Sequence, residues 1–213
     1  PLGDPERLEG YLFPATYEFY TPHNPLYAIN KMLQTFDAQF TDEMRQEVAD
    51  SGRTIHEVLT VASMIEKETD GEDRGKIASV IYNRLCSKLY PCLEIDATIQ
   101  YALAERKEIL SNADKGVLSP YNTYTNAGLP AGPIANPGMN SIRAALYPAE
   151  TDYYFYALDT TGVHHFSETY YEHQNFLNEL AGKDEEADQQ TGTEDGAADQ
   201  TGDTADMENQ TDG

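Results

Sequence analysis

Thr54-Ile55-His56-Glu57-Val58-Leu59-Thr60-Val61-Ala62-Ser63-Met64-Ile65-Glu66-Lys67-Glu68-Thr69 reads as one strong helix with both ends marked. Thr54 and Glu57 have the spacing of a capping box, in which each satisfies a free N–H of the other. Gly71 is a natural stop. Ile55, Val58, Leu59, Ala62 and Ile65 form an apolar stripe, and Glu66 continues it, four residues after Ala62, seven after Leu59 and eleven after Ile55. A carboxyl group there loses the hydration that favours its charged form, so Glu66 is expected to keep a proton near neutrality, the state a general acid needs. The plainer reading is a buried carboxylate held by a basic side chain or by backbone donors, with Lys67, Arg84 and Arg143 as candidate cations. Glu68 and Glu72 read as solvated charges.

Helical patterns lie on both sides. Upstream, after Leu8-Glu9-Gly10-Tyr11-Leu12-Phe13-Pro14, one is expected over Pro25 to Phe40 and a shorter one over Asp42 to Asp50. Downstream, a helix from Glu72 to about Lys88 presents Ile77, Val80, Ile81 and Leu85 on one face. Asp96 reads as the N-cap of another, reaching Glu105. Ser119 to Gly138 carries four prolines and three glycines, so it is a long ordered loop of the kind that commonly carries function. A short helix over Ser141 to Tyr147, a hairpin of Tyr153–Leu158 with His164–Ser167 turning at Gly162, and a last helix capped by Thr169 and Glu172 complete the pattern. Helices first and a hairpin late predict an α+β fold: a helix-rich domain over residues 1–182 with a small antiparallel sheet.

Charge bounds the partners. The 213 residues carry a net −23. Lys183 to Gly213 holds eleven acidic residues and one Lys and no large aliphatic or aromatic side chain, so residues 183–213 are expected to be a disordered acidic tail. The preceding residues keep a net −13, which argues against nucleic acid and against an anionic membrane surface. No apolar run approaches the roughly 20 residues that span a bilayer, and a chain that opens at Pro1 is expected to be part of a longer protein. Cys86 and Cys92 leave open a short-loop disulfide or two thiols. His164 and His165 face opposite sides of a strand and cannot chelate together, so no metal and no cofactor is expected.

Leu8-Glu9-Gly10-Tyr11-Leu12-Phe13-Pro14, Ala62-Ser63-Met64-Ile65-Glu66-Lys67-Glu68-Thr69, Ile77-Ala78-Ser79-Val80-Ile81-Tyr82-Asn83-Arg84-Leu85, Ser119-Pro120-Tyr121-Asn122-Thr123-Tyr124 and Gly128-Leu129-Pro130-Ala131-Gly132-Pro133-Ile134-Ala135-Asn136-Pro137-Gly138 together resemble the MltG/YceG family of endolytic murein transglycosylases. The resemblance runs in the family's order over roughly Leu8 to Leu180. Two departures are small: the family usually reads a polar residue with Ser-Asp-Pro-Thr at Glu94-Ile95-Asp96-Ala97-Thr98, and two prolines at Pro130-Ala131.

That resemblance implies that Glu66 is catalytic, and that the β-1,4 bond between N-acetylmuramic acid and N-acetylglucosamine is cut without water to leave a 1,6-anhydromuramoyl end. One carboxyl group then suffices, where the usual glycosidase needs two. Substrate contacts are expected from Asp96, from Tyr121, Asn122, Thr123 and Tyr124, which offer ring faces, amides and hydroxyls, and from Asn136. Asn136 also reads as a turn residue before Pro137. The partners implied are peptidoglycan glycan strands and peptidoglycan synthases. The resemblance also implies a parent with an N-terminal membrane anchor and a LysM-like subdomain, working at the extracytoplasmic face of the bacterial cell membrane. A muramidase-type hydrolase and an inactive peptidoglycan-binding module are the rival readings.

Overall fold

The computed structural model describes residues 7–19 and 24–191, with side chains described through residue 182. Helix α1, Pro25–Gln39, begins where the Asn24 side chain accepts the Leu26 N–H at 3.0 Å and Pro25 supplies a preset φ. Thr41 caps α2, Asp42–Asp50, by accepting the Met44 N–H at 3.3 Å. Helix α3, Ile55–Glu68, opens with the expected box: Glu57 Oε2 accepts the Thr54 N–H at 2.7 Å, and Thr54 Oγ1 accepts the Glu57 N–H at 3.2 Å. Next come α4, Arg74–Cys86, α5, Asp96–Ala102, α6, Asn112–Lys115, and α7, Met139–Leu146. Strands β1, Phe155–Leu158, and β2, His164–Ser167, precede α8, Tyr170–Thr191.

α3 is the element the others enclose. Val58 to Ile65 are all buried, Thr60 and Ser63 among them, and α2, α4, α5 and α7 pack around it. A helix buried all round needs its polar side chains satisfied locally. Thr60 Oγ1 donates to His56 O at 2.8 Å, and Ser63 Oγ donates to Thr60 O at 2.7 Å while accepting the Ile134 N–H at 3.0 Å. Ile77 and Ile81 of α4, Ile142 and Ala145 of α7, Phe36 of α1 with Phe40 at its C-cap, and Met44 and Val48 of α2 fill the same core. Fully burying one such side chain, Leu59 for example, contributes on the order of 2 kcal/mol.

The hairpin is antiparallel, pairing Phe155 with Ser167 and Leu158 with His164. Asp159 builds its turn, one oxygen accepting from the Thr161 N–H, the Thr161 hydroxyl and the Val163 N–H at 2.7–2.9 Å, and those bonds, led by the Thr161 hydroxyl, hold its carboxyl well below the usual range. Polar side chains of α4 fix the strand's approach, because Asn83 Nδ2 donates to Thr151 O at 2.8 Å and Tyr153 O at 2.9 Å. At the other end of the chain, Gly10 (φ +86°) lies so close to Pro133 that an added Cβ would stand 2.6 Å from its Cγ.

Three local expectations change. Asp96 is the first residue of α5, not its cap, and Ile95 occupies the cap position with its N–H donated to Thr123 Oγ1 at 3.0 Å. Helix α6 was not expected, although Ser111 and Asp114 form a capping box of their own, with hydrogen bonds from Lys107 and then Ser111 holding the Asp114 carboxyl down at about 2. Helix α8 continues to Thr191, past the expected boundary at Gly182, and residues 192–213 of the expected tail lie outside the described residues. The chain's contacts divide it between His173 and Gln174, into units Pro1–His173 and Gln174–Gly213. Cys86 and Cys92 are free thiols.

Candidate active site

Glu66 stands at the last turn of α3, partly buried, where α7 begins. Its Oε2 accepts the Ser141 hydroxyl at 2.5 Å and the Gly138 N–H at 3.2 Å, so the carboxyl group ties the end of α3 to the start of α7, whose N-cap is a glycine. Both donors meet the same oxygen, and Oε1 takes neither. Beside it opens a cavity of about 350 Å³ lined by Glu66, Glu68, Thr69 and His164. None of the expected cations holds Glu66. Arg84 is 7% exposed and is spent on Glu94, on Cys92 O at 2.8 Å and on Tyr154 O at 3.3 Å, while Lys67 and Arg143 are exposed.

Glu68 is not the solvated charge its position implies. It is partly buried and accepts the Tyr156 hydroxyl at 3.0 Å. Burial pushes its carboxyl above the ordinary range, the Asp96 charge adds to that, and hydrogen bonds from Tyr156 and the Ala97 backbone with the field of His164 offset only part. Tyr156 is in turn pushed well above an ordinary phenol by burial and by facing Glu68. Glu68 and Lys67 also line a second cavity, of about 430 Å³, with Asp96, Gln100, Tyr101 and Arg106. The two cavities thus meet at Lys67 and Glu68.

Asp96 closes one side of that second cavity. Its Oδ1 accepts the Tyr124 hydroxyl in a short hydrogen bond and lies 3.2 Å from Lys115 Nζ, which itself reaches the Tyr124 oxygen at 3.0 Å. Tyr124 is held far above an ordinary phenol, first by burial and then by donating to Asp96 amid the charges of Asp96, Glu94 and Glu68. Asp96 therefore stands at the wall of the cleft, and Tyr124 is brought against it.

Their neighbours in the loop are not. Asn122 is fully buried, its amide donating to Lys115 O at 3.0 Å and Val117 O at 2.8 Å and its oxygen accepting the Tyr124 and Thr125 N–H groups at 2.8 and 3.2 Å. Thr123, equally buried, shares a hydrogen bond with Thr98 at 2.9 Å. Both were expected to touch substrate; both instead supply the partners that a buried loop backbone requires. Tyr121 packs on Tyr101, with ring centroids 4.7 Å apart, at the edge of the larger cavity. Asn136 accepts the Leu12 N–H at 3.0 Å and donates to Glu9 at 3.5 Å, so it tethers the N-terminal stretch.

The hairpin contributes a residue that period-two reasoning left unassigned. His164, whose side chain is 7% exposed, lines the smaller cavity with its Nδ1 2.5 Å from Asp73 Oδ2. Burial alone would raise Asp73, but hydrogen bonds from Thr69 and His164 outweigh it and leave the carboxyl below its usual range. His165 faces the other way, onto Asp159 at 3.1 Å.

The profile of the YceG-like family matches residues 3–179. The chain belongs to the YceG-like family. Over 167 residues this YceG-like chain is 44% identical to an endolytic murein transglycosylase of Bacillus subtilis (strain 168), covering 78% of the chain and 46% of that relative. It is 35% identical over 161 residues to an endolytic murein transglycosylase of Streptococcus pneumoniae serotype 2, covering 73% of the chain and 29% of the relative. A crystal structure of a yceG-like protein from Listeria monocytogenes superimposes with a TM-score of 0.74 at 45% identity, over 79% of this chain and 55% of that one. The YceG-like chain thus spans less than half the length of these curated relatives.

Proposed function

We propose that this chain carries the catalytic region of an endolytic peptidoglycan lytic transglycosylase, cleaving the MurNAc-β-1,4-GlcNAc bond to leave 1,6-anhydroMurNAc ends. The observation that carries the reading is Glu66 itself: a carboxyl group on a rigid buried helix, anchored through one oxygen by Gly138 and Ser141, at a cavity wall. Relatives named for this activity support it.

In the proposed cycle Glu66 gives its proton to the glycosidic oxygen as the bond to muramoyl C1 breaks. The C6 hydroxyl oxygen then bonds to C1, and its proton passes to the Glu66 carboxylate. No water enters, no atom is lost, and Glu66 returns to its starting state, so one residue serves as acid and then base. Asp96 and Tyr124 shape the cleft and contact the sugar. The enzyme would act at the outer face of the cytoplasmic membrane, in a longer membrane-anchored protein beside peptidoglycan synthases, as the family resemblance implies.

Digestion of purified peptidoglycan followed by mass spectrometry of the new ends tests this. Anhydro ends are expected, abolished by Glu66→Gln with glycan binding retained. Ends carrying a full water would make the chain a hydrolase, and binding without any cleavage would make it a binding module.

A further inference from the structure

Glu68 is a polar group that the proposed cycle leaves without work, yet it stands at the junction of the two cavities, lining both. Among the described residues, one side chain bonds it, the Tyr156 hydroxyl donating to Oε2 at 3.0 Å. That bond fixes the carboxyl group from beneath, from β1, while its other side chain neighbours border the cavities.

We propose that Glu68 is a second substrate-contacting residue of this site, donating a hydrogen bond to an uncharged oxygen of the sugar that bridges the two cavities. The proposal rests on the glycan-cleaving reading above. A carboxyl group donates only while it keeps its proton, and the surroundings favour that state. Burial and the Asp96 charge at the start of α5 favour the proton, with Glu66 on α3 and the Tyr124 phenol from the loop as further neighbours, while the Tyr156 hydroxyl donating from β1 and His164 on β2, itself tied to Asp73, oppose it only in part. Lys67, an exposed cation, lines both cavities, Arg106 the larger one and Asp70 the smaller. Burial leads the forces that keep the proton on Glu68. A neutral donor suits N-acetylated sugars, whose hydroxyl and acetamide oxygens are uncharged acceptors.

The test uses glycan strands freed of stem peptides, titrated onto the full chain carrying Glu66→Gln, so that binding is read without turnover. Adding Glu68→Ala should weaken binding about tenfold, the worth of one hydrogen bond to a buried donor. Adding Glu68→Gln, which keeps a donor but cannot ionise, should restore most of that loss. Binding to the Glu66→Gln parent should also decline as pH rises and Glu68 gives up its proton, a decline that the Glu68→Gln form lacks. Tight binding by the Ala form, equal loss in the Gln form, or an alkaline decline that survives Glu68→Gln overturns the proposal. If Glu68→Ala does not fold, the Gln form and its pH profile decide alone. Because these titrations need no cleavage, they separate this inference from the proposed function, which fails on the product ends.

Discussion

Ser141 on α7 donates its hydroxyl to Glu66 Oε2 at 2.5 Å, so the end of α3 and the first turn of α7 share the oxygen of one carboxyl group. Replacing Ser141 with Ala keeps the helix and its packing but frees that oxygen on one side. We expect kcat to fall about tenfold with KM little changed, and stability to drop by about 1 kcal/mol. Steady-state kinetics on peptidoglycan with parallel urea unfolding checks both; a change confined to KM would show that Ser141 acts on the substrate rather than on Glu66.

Glu68 makes stability depend on pH with a definite sign. Its folded carboxyl holds the proton more tightly than the unfolded one, so its contribution is fully present below the ordinary carboxylate range and is lost as pH rises through the folded value. From about pH 4 upward the wild type should lose an increment of stability that Glu68→Gln does not lose. Urea midpoints measured across that window for both proteins give the answer, and parallel curves would refute it.

Asn122→Ala removes a side chain with four loop partners, stranding the Lys115 and Val117 carbonyls and two N–H groups. A loss of about 2–4 kcal/mol is expected from those unmet buried groups. Thermal unfolding measures it; a wild-type melting temperature with a raised KM would return Asn122 to the substrate.

Two glycines separate crowding from backbone strain. Gly10 and Gly162 both have φ near +85°, but only Gly10 has a neighbour inside 3 Å of an added Cβ, the Pro133 ring. Gly162→Ala should cost about 1 kcal/mol from backbone strain alone, and Gly10→Ala about 2–3 kcal/mol. Chemical denaturation of the pair tests the ranking, which equal losses would erase.

What the sequence made legible was local. The Thr54–Glu57 and Thr169–Glu172 boxes link residues three apart, so their chemistry is written in adjacent letters and both form. The stripe that ends at Glu66 is equally local, and Glu66 does stand at the cleft. Glu68 was misread because periodicity marks one apolar face, while the hydroxyl that Glu68 accepts comes from Tyr156 of β1, 88 residues away. Asp96 was assigned to a cap because its competitor for that oxygen, Tyr124, stands 28 residues away. Asn122 and Thr123 carry the same groups that bind sugar, and nothing in their identity says whether a loop will turn them outward or keep them for its own backbone. Arg84 looked like a partner for Glu66 for the same reason: its true partners, the Cys92 and Tyr154 carbonyls, are brought to it only by the fold.

The enclosure of α3 has a kinetic corollary. Amides between Val58 and Ile65 sit under four helices and should exchange with solvent deuterium only when the whole first unit opens, among the slowest in the chain. Glu66 is bolted to the end of that slow segment, whereas the hairpin that forms the facing wall hangs on two four-residue strands. Under the proposed function, admission of a glycan strand would then depend on breathing in that wall, with Glu66 as the stationary part against which the strand is registered.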